Sequence, residues 1–188
     1  MAKIKVEVSA RHGHLSQKDL EKLFGQGYNF KVLKNISQPG QFAAKEEVKI
    51  IGPKAELKVR IVGPVRQQTQ IELAATDCYH LGIKPVLRVS GDIKNTPGAV
   101  LAGPKGQVKI NQGVIVAQRH LHLAASEAKQ LKLKNGQEVS MRVGGPRSVA
   151  FHQVIVRSGA GHKKSFQIDT DESNACGWRS GMTGELIK

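Results

Sequence analysis

Val116-Ala117-Gln118-Arg119-His120-Leu121-His122-Leu123 repeats the Val-x-x-Arg-His-x-His-Leu frame of Val8-Ser9-Ala10-Arg11-His12-Gly13-His14-Leu15. Both copies enter on strand-like alternation, and a short helical pattern follows each. The copies lie much further apart than the roughly 20–50 residues of a solenoid period. They fit two similar small β domains. Around them the chain reads as many short alternating segments separated by glycine and proline turns, without helical crossovers. That pattern predicts a mainly β fold with short helices, in two β-barrel-like domains packed around a shared cleft. The expected division is 1–98 and 99–188.

Strands are expected over 3–10, 47–51, 57–62, 70–74, 86–89, 114–118, 138–143 and 153–157. Ser16-x-x-Asp19 has the form of a capping box, with Leu20, Leu23 and Phe24 behind it at helical spacing, so a helix is predicted over 17–24. Thr76 is the expected cap of a helix ending near Gly82, and Ser126-Glu127-Ala128 opens another running to about residue 131. Asp169-Thr170-Asp171-Glu172-Ser173-Asn174-Ala175 reads as turn chemistry leading to a short helix. Gly52-Pro53-Lys54 marks a turn that Gly103-Pro104-Lys105 echoes.

The sequence has 188 residues with 29 Lys and Arg against 15 Asp and Glu, a formal net charge of +14. An excess of this size draws anions. The basic residues are dispersed, and no stacking aromatics or recognisable module accompany them. A nucleic-acid partner and a membrane partner are therefore not expected. Two cysteines, Cys78 and Cys176, form neither a disulfide framework nor a Cys-x-x-Cys metal knuckle. The N-terminal stretch alternates from its start, with no apolar signal region, and no run has the length of a membrane span. The expected location is the cytoplasm.

Residues i and i+2 of a strand share a face, so each His-x-His pair can present two imidazoles to one ion. Four of the seven histidines fall in these two frames. A catalytic zinc takes a third protein ligand. The candidates are Glu72, His80, His152, His162, Asp169, Asp171 and Glu172. Glu72 stands out as the one charged residue in Thr69-Gln70-Ile71-Glu72-Leu73. Arg60, Arg66 and Arg88, at strand ends and turns, are candidate anion forks. Arg11 and Arg119 flank the histidines as candidate ion-pair partners behind them.

The chain resembles the PduL-type phosphotransacylases, also called phosphate propanoyltransferases. The resemblance rests on Val8-Ser9-Ala10-Arg11-His12-Gly13-His14-Leu15-Ser16, Gln38-Pro39-Gly40-Gln41-Phe42-Ala43-Ala44 and Gly63-Pro64-Val65-Arg66-Gln67-Gln68-Thr69-Gln70-Ile71-Glu72. It continues in Gly113-Val114-Ile115-Val116-Ala117-Gln118-Arg119-His120-Leu121-His122 and Ile168-Asp169-Thr170-Asp171-Glu172-Ser173-Asn174-Ala175. It implies an enzyme that moves an acyl group between coenzyme A and inorganic phosphate, reversibly, with two zinc ions between two β-barrel-like domains. By the same resemblance, His12, His14 and Glu72 serve the first zinc, and His120 and His122 the second. Arg66 holds phosphate with Ser90 beside it, and Ser9, Lys34, Arg60 and Asn174 contact coenzyme A.

Two departures stand out. The family carries a histidine before its Asp-Thr-Asp-Glu run, completing the second zinc site; here that position is Gln167, and an amide oxygen is a poorer zinc ligand than imidazole. Gly13 stands where the family has a bulkier apolar residue. Members sent to microcompartments carry an N-terminal helical extension, whereas this sequence opens on its first strand. Other functions open at this point are a zinc-dependent thioester hydrolase and a catalytically impaired coenzyme A-binding relative. A homo-oligomer is allowed.

Overall fold

A computed structural model describes residues 3–187. In chain order its elements begin with β1 (Lys3–Val8), β2 (His12–His14), α1 (Gln17–Phe24), β3 (Val32–Asn35), β4 (Phe42–Ile51), β5 (Glu56–Gly63) and β6 (Gln70–Leu73). Then come α2 (Ala75–Leu81), β7 (Leu87–Arg88), β8 (Ala99–Ala102), β9 (Gln107–Ile110) and β10 (Val114–Ala117). The last are β11 (His120–Leu123), α3 (Ala125–Leu131), β12 (Glu138–Val143), β13 (Val149–Ser158), β14 (Ser165–Ile168), α4 (Thr170–Ala175) and β15 (Thr183–Ile187). No helix among the described residues is long and apolar enough to cross a membrane.

The fold is mainly β, and the chain forms two compact units. One comprises the residues up to Ala10 together with those from Gln118 onward; the other is Arg11–Ala117. In the first, six strands close into a barrel in the order β1-β14-β11-β13-β12-β15. Alternate residues point inward, and Ile4, Val6, Leu121, Leu123, Phe166 and Ile168 are buried in its core. In the second, a nine-stranded sheet curls in the order β7-β10-β6-β2-β5-β4-β8-β9, with β3 paired to β4. β4 shows the alternation best: Ala44, Glu46, Val48 and Ile50 are buried, and Lys45, Glu47 and Lys49 are exposed. Glu46 is tolerated inside because Tyr28 Oη–H and the Lys31 N–H donate to it.

The expected strand over 3–10 is β1, which ends at Val8. β1 stays in the barrel, and the chain then crosses to start the other unit at β2. β10 does the reverse: it pairs with β6 and β7, and the chain crosses at Gln118 to begin β11. Each histidine frame thus opens one unit, and the strand leading into it belongs to the other.

The two Gly-Pro-Lys turns seat helix ends. Lys54 N–H donates to Leu81 O at the end of α2, and Lys105 N–H donates to Leu23 O near the end of α1. A Cβ at Gly52 would meet Leu81 O at 2.3 Å, and one at Gly103 would meet Leu23 O at 2.6 Å, so both turns require glycine. α1 starts where expected, but only half of its capping box forms. Ser16 Oγ accepts from Asp19 N–H, while the Asp19 carboxylate accepts from Thr69 Oγ instead. α2 starts one residue before Thr76, because Asp77 reaches back to accept from the Ala74 N–H.

Candidate metal centres

β2 lies between β5 and β6, which places His12 opposite Glu72 and His14 opposite Gln70. The two imidazoles share the face on which the Glu72 carboxylate stands. His12 Nε2 is 3.7 Å from Glu72 Oε2, and His14 Nε2 is 3.7 Å from Oε1. Among the described residues, this is the group of three ligating side chains whose ligand atoms all lie within 4.8 Å of one another. The spacing fits donors around one ion at about 2.0–2.2 Å, the range for zinc with imidazole and carboxylate ligands. His14 Nδ1–H donates to Val62 O at 2.9 Å, which fixes the tautomer and leaves the Nε2 lone pair facing Glu72. The carboxylate is itself held: Gln70 Nε2–H and Ser90 Oγ–H both donate to Oε1 at 2.7 Å, and Gly91 N–H fixes the Gln70 carbonyl. Burial raises the Glu72 pKa, but the two facing imidazoles and the Ser90 hydroxyl outweigh it and hold the carboxyl well below its ordinary value. Burial, with His12 and Arg66 nearby, lowers the pKa of His14 against the opposing pull of Glu72. An anionic oxygen facing a neutral imidazole is the protonation state a cation requires. Gly13 between the histidines leaves its space to Ile71 and Ile61, whose side chains close over it.

The second pair repeats the arrangement in the barrel. β11 lies between β13 and β14, with His120 opposite Gln167 and His122 opposite Ser165. His120 Nδ1–H donates to Gln118 O at 2.8 Å, so its Nε2 carries a lone pair. That nitrogen faces His122 Nε2 at 3.0 Å, and His122 Nδ1 is buried without a hydrogen-bond partner. With His120 Nδ1 turned to the backbone and the two Nε2 atoms together, the pair presents two imidazole nitrogens that fit one metal ion. Burial, then His120, His162 and Arg157, lowers the His122 pKa to about 2. Its ordinary value is 6.5, so the imidazole contributes its full stability above pH 6.5 and loses it as pH falls toward the folded value. In metal-free protein, stability is therefore expected to fall progressively as pH drops below that point. Denaturant unfolding of the parent and of His122→Asn between about pH 7 and pH 4.5 checks it. The parent should lose stability more steeply with acid, and equal slopes would refute the assignment.

The sequence model of the phosphate propanoyltransferase family matches residues 5–179. The chain belongs to this family. It is 46% identical over 184 residues to the phosphate propanoyltransferase of Leptotrichia buccalis, covering 97% of this chain and 87% of that one. It is 47% identical to that of Sebaldella termitidis over the same length and coverage. To the phosphate propanoyltransferase of Listeria monocytogenes it is 40% identical over 186 residues, covering 98% and 87%.

Arg66 and Ser90, read from the family resemblance as the phosphate side, meet at the first centre. Arg66 forms an isolated parallel bridge with Ser16, and its Nη1 lies 3.4 Å from Ser90 Oγ, the hydroxyl that donates to Glu72. The coenzyme A residues implied by the phosphate propanoyltransferase resemblance are dispersed. Arg60 sits opposite His12 on β5, but its guanidinium donates to Ala44 O and Lys45 O and pairs with Glu47. Lys34 is exposed on β3. Ser9 follows β1, with its N–H on Ile168 O, and Asn174 is exposed on α4.

The flanking arginines hold acids in the first turns of two helices. Arg11 makes a two-pronged pair with Asp77, at 3.1 and 2.9 Å, and Arg119 bonds Glu172 at 2.7 Å. Other candidate ligands are occupied elsewhere. Asp169 caps α4, His152 bonds Ser140, and His80 is exposed on α2. His162 stacks on His122, with ring centroids 4.6 Å apart and planes at 28°. Gln70 was not foreseen as part of the site. Its signal was its place two residues before Glu72, on the same face of one strand.

Proposed function

We propose that the chain is a zinc-dependent phosphate acyltransferase, interconverting acyl-CoA plus phosphate with acyl phosphate plus coenzyme A. The observation that carries this reading is the buried His12–His14–Glu72 group in a chain of the phosphate propanoyltransferase family. His12, His14 and Glu72 hold one zinc, and His120 and His122 contribute to a second. Bound zinc supplies Lewis-acid stabilisation of the charge that develops as the thioester reacts. Arg66 binds the phosphate as a fork, with Ser90 beside it. A phosphate oxygen attacks the thioester carbonyl carbon; the C–O bond forms, the C–S bond breaks, and its electron pair leaves on the coenzyme A sulfur. Ser9, Lys34, Arg60 and Asn174 position coenzyme A. Cys78 and Cys176 are buried and take no part as nucleophiles. The net positive charge favours the encounter with two anionic substrates.

The test is release of coenzyme A thiol from propanoyl- or acetyl-CoA by zinc-loaded protein, with and without phosphate. Phosphate-dependent release is expected, with acyl phosphate as the second product. Release that ignores phosphate would convert the reading to a thioester hydrolase. Gln167 is the observation favouring an impaired relative, which would bind coenzyme A with no release at any acyl length.

A further inference from the structure

The two centres match beyond their histidines. Glu72 stands opposite His12 on β6, and Gln167 stands opposite His120 on β14. Each is followed by a helix whose first-turn acid, Asp77 or Glu172, is held by the arginine before the histidines. By register alone, Gln167 occupies the place that supplies the carboxylate in the first centre. The next strand differs. β10 runs parallel to β6 and sets Ile115 beside Glu72, whereas β1 runs parallel to β14 and sets Glu7 beside Gln167. In the second centre the carboxylate stands one strand further out.

The Gln167 amide is pinned. Its Nε2 donates to Glu7 Oε2 at 2.7 Å and to Ser165 Oγ at 3.0 Å. An ionised carboxylate only accepts, so the amide atom facing Glu7 is nitrogen, and both of its N–H groups are engaged. The nitrogen is drawn toward β1, leaving the carbonyl oxygen as the amide's remaining polar atom, and the strand on the other flank of β14 is β11, where His120 stands opposite Gln167. A charge-assisted bond from the N–H also raises the electron density on that oxygen. His162 is a poorer candidate. Stacked nearly parallel on His122, its lone pairs lie in a plane displaced from that ring.

We propose that Gln167 Oε1 is the third protein ligand of the second centre, and that Glu7 is the positioning residue that holds it there. The inference rests on the reading of His120 and His122 as metal ligands. It makes the second centre a neutral two-nitrogen, one-oxygen set, weaker for zinc than the first and dependent on a carboxylate that does not touch the ion.

Zinc titration of the metal-free full chain, read as stoichiometry and stepwise affinity, tests this without reference to turnover. The parent should take up two zinc ions, one tightly and one weakly. Gln167→Ala and Glu7→Ala should each weaken the second step by about 10–100-fold, the range for changes in such supporting shells, and leave the first unchanged. Because Glu7 acts through Gln167, the double variant should bind the second zinc no more weakly than Gln167→Ala alone. Gln167→His should tighten the second step, and it keeps the test informative if an alanine variant unfolds. A second step unaffected by Gln167→Ala, an additive double variant, or uptake of one zinc by the parent would each overturn the proposal. Two zinc ions with this pattern but no phosphate-dependent release of coenzyme A would leave the ligand assignment standing and remove the acyltransferase reading.

Discussion

Glu72→Gln is expected to empty the first metal centre and to lower kcat for phosphate-dependent thioester cleavage by about a thousandfold, or roughly 4 kcal/mol of barrier. The change keeps the shape of the side chain and removes the charge. Among the described residues, Glu72 is the carboxylate grouped with His12 and His14, and the donors at 2.7 Å from Gln70 and Ser90 are arranged for an anionic acceptor. An amide there turns either its weaker oxygen or its N–H groups toward those donors, and a buried donor left without an acceptor costs about 1–3 kcal/mol. Zinc per chain and steady-state kinetics, measured on the same preparation, check the prediction. Parent-like zinc content with parent-like kcat would remove Glu72 from the centre.

Arg66→Ala is expected to raise KM for phosphate at least tenfold and to lower kcat by about a hundredfold, with zinc content unchanged. The guanidinium lies beside Ser90, which in turn bonds the Glu72 carboxylate, so it stands at the first centre without entering the His12–His14–Glu72 ligand group. Arg66→Lys keeps the charge and loses the planar fork, and should fall between parent and alanine variant. Titrating phosphate at fixed acyl-CoA, then acyl-CoA at fixed phosphate, separates the effects. Equal changes in the KM of both substrates would mean that Arg66 does not act on phosphate in particular.

Much of this site was legible because strand periodicity is short-ranged. His12 and His14 share a face for the same reason that Ala44, Glu46, Val48 and Ile50 do, and the lone charge of its segment marked Glu72 before any pairing was known. The helix after Ser16 was equally local. What stayed hidden depends on contacts distant in sequence. Alternation in 3–8 and 114–117 shows that these are strands, but not which sheet receives them. The Ser90 bond to Glu72 depends on how the loop after β7 is seated, and the pinning of Gln167 depends on β1 lying next to β14. α2 begins at Ala75, with Asp77 rather than Thr76 bonding the Ala74 N–H, and the same carboxylate meets Arg11, a residue far earlier in the chain.

The crossing of β1 and β10 has a further consequence. Each unit is completed by the strand that precedes the other unit's histidines, which is the connectivity of a segment-swapped dimer written into one polypeptide. A half-length chain carrying one Arg-His-x-His frame would be whole only in the company of a second copy, and such a pair would hold two equal centres. Joined in one chain, the halves are free to differ, and one holds its carboxylate opposite the histidines while the other holds an amide.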